Sequence, residues 1–245
     1  MSQKTGQEFM KKTQYKYLEH SDQMRGLPQP PLELPHDPTK SVIDLPTPAS
    51  IRVKDLTLRD AIERRQSVRK YSKQPLTLVE LSWLLWCMQG VKEVIERPVT
   101  LRNVPSAGAR HAFETYVLVN NVKDLQPGLY RFIAISHKLE EVNLDDSLAS
   151  KLTEACLSQS MVKKSAVTFF LIAVAYRMKW RYSERGYRYL HLDAGHVFQN
   201  LYLAAENIDC GTCAVAAFDD EKLNELLGID GVEQFAIYLA PVGKK

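Results

Sequence analysis

Cysteine is scarce in this chain: Cys87, Cys156, Cys210 and Cys213 are the 4 in 245 residues, too few for a disulfide scaffold of this size and better suited to reduced thiols. Long apolar runs are missing as well. No stretch reaches membrane-spanning length, and the opening MSQKTGQEFMKKTQYKY has no apolar core of a signal peptide, so a cytoplasmic location is expected. Nor does one sign of charge dominate. With 32 basic against 29 acidic side chains the formal net charge is +3, too near balance to imply a nucleic-acid surface. Basic residues in such a chain more plausibly serve a local anion. No metal site is expected either, because His191 and His196 are five residues apart, about 500° around a helix, and diverge instead of converging. Repeats, low-complexity tracts, a dinucleotide fingerprint and a catalytic triad are also lacking.

What is present suffices for one core. At 45% hydrophobic and 25% charged, the chain is most simply one domain with an appended arm. Residues 1–50 form that arm, since Pro28, Pro30, Pro31, Pro35, Pro38, Pro46 and Pro48 oppose regular structure. Leu27, Leu32, Leu34, Val42, Ile43 and Leu45 supply apolar anchors, so the arm is expected to drape over the body or over a partner subunit. Residues 51–245 make the domain. Thr57-Leu58-Arg59-Asp60 reads as a capped helix start, with Leu58, Ala61 and Ile62 as its apolar face. Thr77 and Glu80 form a capping box, Leu81, Leu84, Leu85 and Met88 follow the helical rhythm, and Gly90 suits a left-handed stop. Strands are expected at 115–119, 128–133 and 235–239, helices at Leu148–Ala155 and Asp220–Leu227. The run 166–175 is almost wholly apolar and predicts a central strand covered on both faces. Ala194, Val197, Phe198, Leu201, Ala205 and Ile208 mark a long, largely buried helix. This alternation predicts an α+β sandwich with helices flanking a mixed sheet.

The segment Arg64-Arg65-Gln66-Ser67-Val68-Arg69-Lys70-Tyr71 concentrates the chemistry. If it is extended, Arg65, Ser67 and Arg69 share a face, and two guanidinium forks with a hydroxyl make a phosphate grip. A solvated basic helix end is the plainer alternative. Cys210-Gly211-Thr212-Cys213 has dithiol spacing, but it follows a helix end instead of opening a helix, which favours packing. Asp193 and His196, one helical turn apart, suit a structural polar pair.

Taken together, Arg65-x-Ser67-x-Arg69, the loop Pro105-Ser106-Ala107-Gly108 and the turn Ala216-Ala217-Phe218-Asp219 resemble the nitroreductase superfamily of flavin enzymes. The segment from Trp180-Arg181-Tyr182 through Asn200-Leu201 resembles its azoline-dehydrogenase (streptolysin-biosynthesis) branch. The resemblance covers about residues 57 to 243 and implies a three-layer sandwich with a mixed, mostly antiparallel sheet in a homodimer. It implies FMN as cofactor, with Arg65, Gln66, Ser67 and Arg69 at its phosphate and ribityl chain. Pro105, Ser106, Ala107 and Gly108 would reach it from the partner subunit. Gln159, Ala214, Val215, Ala216 and Ala217 would lie along it, a backbone N–H of the Ala216-Ala217 turn would point at flavin N5, and Lys244 and Lys245 would add phosphate cations. At Ala217, members of the family often carry glycine.

The implied activity is transfer of hydride from NADH or NADPH to a nitroaromatic, quinone or similar small electrophile. Two alternatives are an azoline dehydrogenase acting on a modified peptide and a flavin-binding protein without turnover. The candidate catalytic pair is Arg181 and Tyr182, where azoline oxidases of the branch carry Lys-Tyr. An arginine stays protonated and can only donate or neutralise, so it would orient a substrate or pair with an acid such as Glu184.

Overall fold

The computed structural model describes residues 4–96 and 98–245. In chain order its main elements are α1 (Thr5–Lys12), β1 (Val42–Asp44), α2 (Leu58–Arg64), α3 (Leu78–Gln89), β2 (Val91–Ile95), β3 (Val99–Arg102), β4 (Phe113–Val119), β5 (Gly128–Ile133) and β6 (Lys138–Asn143). There follow α4 (Leu148–Ala155), α5 (Met161–Lys164), β7 (Val167–Val174), α6 (Ala175–Tyr182), α7 (Gly186–Glu206), β8 (Cys210–Thr212), α8 (Asp220–Leu227) and β9 (Gln234–Lys244). A 7-stranded sheet runs β1-β6-β5-β4-β7-β9-β8, while β2 and β3 pair as a separate ribbon. Among the described residues every ladder is antiparallel, and parallel pairing is confined to isolated bridges, Ser67 with Thr212 and Leu76 with Val122.

β7 is the central strand that its unbroken apolar run predicts. Phe169, Leu171 and Ala173 enter the core shared with α3 and α7, whereas Phe170 and Ile172 enter the core shared with α4 and α8. Side chains alternate across a strand, so a strand with helices on both faces has no solvent side to mark with polar residues. The layers are therefore helix, sheet, helix, the three-layer sandwich implied by the resemblance. Among the described residues, no helix is long and apolar enough to cross a membrane.

Local signals placed the helices well. Thr77 and Glu80 cap α3 reciprocally, Thr57 accepts from the Asp60 N–H at α2, and Asp219 caps α8, which stops at Gly228 in the left-handed region (φ 71°). Gly90 differs from expectation. Its φ is −55° and ψ 129°, so the chain runs directly into β2, and glycine is needed because a Cβ would strike the Trp86 ring. Leu58 and Ile62 differ too: only Ala61 of that apolar face is buried, and the other two are exposed.

The arm is more structured than its prolines suggest. Residues 5–17 contain none and form α1 followed by a helical turn, while Val42–Asp44 adds an edge strand to β6 and Leu45 enters the core. Between them, the proline-rich stretch is held by a buried ionic network. Glu114 (3% exposed) binds Arg177 at 2.6 Å and lies 3.6 Å from Arg131, which also binds Glu140 at 2.8 Å. These groups reach out to the arm's backbone. Arg177 donates to the Pro31 carbonyl (2.9 Å) and Arg131 to those of Leu34 (3.1 Å) and Pro35 (2.8 Å), while Glu114 and Glu140 accept the N–H groups of Leu34 and Asp37 at 2.9 and 2.7 Å. Proline lacks an N–H but keeps its carbonyl, so a guanidinium is a suitable partner for a segment that cannot complete a ladder. The arm drapes over its own body.

Two predictions follow from this burial. Glu114→Ala strands the Arg177 guanidinium, while Arg131 keeps Glu140, and should cost about 3–5 kcal/mol by urea unfolding, since breaking one side of a buried pair leaves the other charge without a partner. Asp44→Ala removes only the exposed partner of Lys138 and should cost no more than about 0.5 kcal/mol. The second concerns pH. Burial, with Arg102 and Arg110 nearby, pushes the His111 imidazole down from 6.5 to about 3. Below pH 6.5 the unfolded chain takes up a proton that the folded chain refuses, so stability falls as pH drops toward 3. His111→Gln should flatten the urea-midpoint profile over that window relative to the unaltered protein, and equal slopes would count against it.

Candidate functional site

The basic segment is extended. It leaves α2 at Arg65 (φ −52°, ψ 122°) and lies parallel beside β8, with Ser67 bridging Thr212 and the Val68 N–H donating to the Thr212 carbonyl at 2.9 Å. Two glycines make the approach possible. A Cβ on Gly211 would come within 2.5 Å of Val68, and one on Gly243 within 2.8 Å of Tyr71. The Tyr71 hydroxyl fixes the strip by donating to the carbonyls of Val68 (2.9 Å) and Pro241 (3.1 Å). Alternation then sends Arg65, Ser67 and Arg69 to one side. Ser67, Gln66 and Arg69 are exposed and Arg65 is half-buried; neither arginine is ion-paired with another described residue.

Tyr202 joins this strip to the small-residue loop. Its hydroxyl lies 3.2 Å from that of Ser67 and accepts the Ala214 N–H at 2.9 Å, and the Arg65 guanidinium sits 5.3 Å from the centre of its ring. Sequence reasoning missed it, although a tyrosine one position beyond Leu201 in a largely apolar helix is a signal that a polar end is wanted there. Beyond Ala214, Val215 exchanges backbone hydrogen bonds with Leu239, and the chain then turns out. Ala216 and Ala217 are exposed, and their N–H groups bond to no other described residue. Gln159 steadies this turn by donating to the Ala217 carbonyl at 2.9 Å and to the Cys156 carbonyl at 3.0 Å.

Lys244 and Lys245 depart from expectation. The Lys244 ammonium is buried, paired with Glu80 at 2.5 Å and donating to the Ile208 carbonyl at 2.7 Å, and Lys245 is bound by both Glu206 oxygens at 2.7 Å. Opening the buried Lys244–Glu80 pair is costly, which ties Lys244 to the body, whereas Lys245 is exposed and its ion pair with Glu206 is of the kind that contributes little. The Cys210–Cys213 pair is likewise structural: both are buried, Cys210 on β8, and burial pushes its thiol up to about 12.

A second cluster gathers at the other end of α7. Asp193, expected to pair with His196, instead accepts the Ala107 N–H at 3.3 Å and has the Ser106 hydroxyl in hydrogen-bonding range; burial raises its carboxyl against those bonds. Ser106 in turn accepts the His111 N–H at 2.9 Å, which closes the loop that begins at Pro105. Gly108 (φ 57°) lies against the candidate catalytic pair: a Cβ there would stand 2.5 Å from the Tyr182 hydroxyl and 2.8 Å from Arg181 Nε. Arg181 does not pair with Glu184, which faces Lys179 at 3.9 Å. It donates to the Gln23 side chain (3.3 Å) and lies over the Tyr182 ring.

The two clusters do not meet within the chain. Asp193 and Tyr202 are nine residues apart on α7, which puts them about 13 Å apart along its axis and roughly 180° around it. One face therefore carries Arg65, Ser67, Arg69 and the Ala216-Ala217 turn, and the opposite face carries Ser106–Gly108, Arg181 and Tyr182.

Comparison with known proteins identifies the family. The sequence model of the Nitroreductase family matches residues 62–244. A nitroreductase-named protein of Methanocaldococcus jannaschii is 36% identical over 193 residues, 79% of this chain and 93% of that one. The trifolitoxin operon protein TfxC of Rhizobium leguminosarum bv. trifolii is 25% identical over 199 residues, and this chain spans about half of it (54%) while 75% of this chain is matched. A crystal structure from Anabaena variabilis, titled as a nitroreductase, superposes with a TM-score of 0.69 at 28% identity over 84% of this chain and 42% of its own. The Escherichia coli microcin synthetase McbBCD complex with truncated pro-MccB17 bound shares the fold alone, with a TM-score of 0.62 at 18% identity over 81% of this chain and 76% of that one. With the family match spanning the sandwich and both clusters, the chain belongs to the nitroreductase family of oxidoreductases.

Proposed function

We propose that the protein is an FMN-dependent oxidoreductase whose two sites are each completed by a second copy of the chain, working in the cytoplasm. The observation that carries the reading is the strip beside β8: two guanidinium groups without carboxylate partners among the described residues flank an exposed hydroxyl. The donor set fits FMN from end to end. Arg65, Ser67 and Arg69 would suit a phosphate dianion, the Tyr202 hydroxyl beside Ser67 would suit a ribityl chain, and the N–H groups of Ala216 and Ala217, unbonded to other described residues, would suit the ring's acceptor atoms. Alanine in place of the family's frequent glycine at 217 still offers that N–H. Bound there, FMN would supply two-electron chemistry between NADH or NADPH and a small electrophile. The chain's own part is to hold the ring, to present one face of it, and to orient what arrives there.

Completion by a partner follows from α7. A single flat ring cannot touch two clusters on opposite faces of one helix, whereas Ser106–Gly108 of one copy can approach the strip of another. Exposed Leu58 and Ile62 on α2 and Leu192 on α7 give such an interface apolar contacts. A second reading, azoline dehydrogenation, has Tyr182 and the resemblance of the segment from Trp180 through Leu201 to the azoline-dehydrogenase branch in its favour. Arg181 weighs against it, because a guanidinium does not take a proton from a substrate.

The purified protein should be yellow with about one FMN per chain, and Arg65→Ala with Arg69→Ala should release the flavin, each charge-assisted contact contributing about 1.5–3 kcal/mol. A colourless protein that takes up no added FMN would end this reading. Light scattering should find a dimer, and a flavin-loaded monomer at micromolar concentration would contradict the shared site. Given a peptide azoline and oxygen, the protein should show no loss of two hydrogens by mass spectrometry; turnover would promote the second reading.

A further inference from the structure

The arm lies wholly outside the residues matched by the family, 62–244, yet it touches the candidate catalytic pair. It is tied down on both sides of that contact. On one side the Thr13 carbonyl accepts from Arg185 at 2.9 Å and the Tyr15 hydroxyl meets that of Tyr189 at 2.9 Å. On the other, the Gln23 N–H donates to the Trp180 carbonyl at 2.8 Å and the Trp180 indole to the Leu27 carbonyl at 3.0 Å. Residues between these ties span a cavity of about 270 Å³ lined by Tyr15, Leu18, Met24, Tyr182 and Arg181. Its floor is strained. Ser183, which ends α6 directly after Tyr182, has φ 49° and ψ −144°, a region that side-chain-bearing residues avoid at a cost and that concentrates at functional sites.

The lining specifies a ligand. Tyr15, Leu18, Met24 and Tyr182 offer aromatic and apolar walls, and a cavity of about 150 Å³ already accepts benzene, so 270 Å³ suits one substituted ring. The Arg181 guanidinium is the fork on this wall, half-exposed and held by one long bond to Gln23 (3.3 Å). Glu19, the acid in the lining, is paired with Arg25 at 3.3 Å. The net preference is for an anion on an aromatic body.

We propose that the arm segment Tyr15–Met24 is a specificity wall of the acceptor site, and that together with Arg181 it selects monocyclic aromatic carboxylates over neutral aromatics. This rests on the flavin reading for the nearness of a redox centre, since Gly108, beside Arg181 and Tyr182, belongs to the loop assigned to the partner's flavin. The binding step itself needs no turnover and can be measured alone.

The test is calorimetric titration of the full-length protein, as purified, with 4-nitrobenzoate and with nitrobenzene. The unaltered protein should bind 4-nitrobenzoate at least about tenfold more tightly. Arg181→Gln should erase that preference, a loss of roughly 10-fold or more for the carboxylate with little change for nitrobenzene. Leu18→Trp, which narrows the cavity from the arm side, should weaken both. If 4-nitrobenzoate does not bind at millimolar concentration, or binds equally to all three proteins, or if Arg181→Gln weakens both ligands alike, the proposal is overturned. Bound flavin, read by its visible absorbance in the same samples, separates the two readings. A yellow protein with arm-independent binding keeps the cofactor and loses the wall; a colourless one with arm-dependent, carboxylate-selective binding does the reverse.

Discussion

Burying Glu114 between Arg131 and Arg177 is the constraint on which the rest of the molecule depends. Charges on central strands are costly to desolvate and persist only when paired and hydrogen-bonded. Here the backbone of residues 31–37 supplies most of the remaining partners, leaving Arg177 Nη1 the one buried guanidinium nitrogen without a hydrogen bond among the described residues, so the sheet needs the arm as much as the arm needs the sheet. Through that junction the arm gains an edge strand on one side of the network and a path across α6 and α7 on the other. A proline-rich segment thereby becomes a fixed wall.

The helix α7 sets the geometry of the chemistry. Its apolar residues bury it against the sheet and α3, which makes it a rigid rod, and two of its polar residues then act as brackets on opposite sides. Tyr202 gathers the arginine strip and the Ala214 turn; Asp193 gathers the Ser106 loop. Hydrogen bonds from a packed helix locate loops more narrowly than loop sequence could. That rigidity also forbids the two clusters from joining in one chain.

Small residues mark where backbones must touch. Gly211 and Gly243 leave room for Val68 and Tyr71 to seat the strip, and Gly108 leaves room for Tyr182 and Arg181. At each place a methyl group would push a functional segment away from its support. The left-handed Gly108 adds a conformational requirement to the steric one.

Much of this was legible in the sequence, for reasons of range. Caps, helical rhythm and an unbroken apolar run are local signals, and they located α3, α8 and β7 because neighbours a few residues apart decide them. The extended reading of Arg65, Ser67 and Arg69 was one of two allowed by the sequence, and pairing with a strand nearly 150 residues later selected it. Tertiary structure alone decided the partners of the long side chains. Lys244 and Lys245 look like free cations beside a phosphate strip until folding brings Glu80 and Glu206 to them, and Arg181 faces Gln23 instead of Glu184 because the arm crosses at that point. A charged side chain announces what it can bind, but which opposite charge reaches it first depends on contacts between segments far apart in the chain, and no local pattern carries that information.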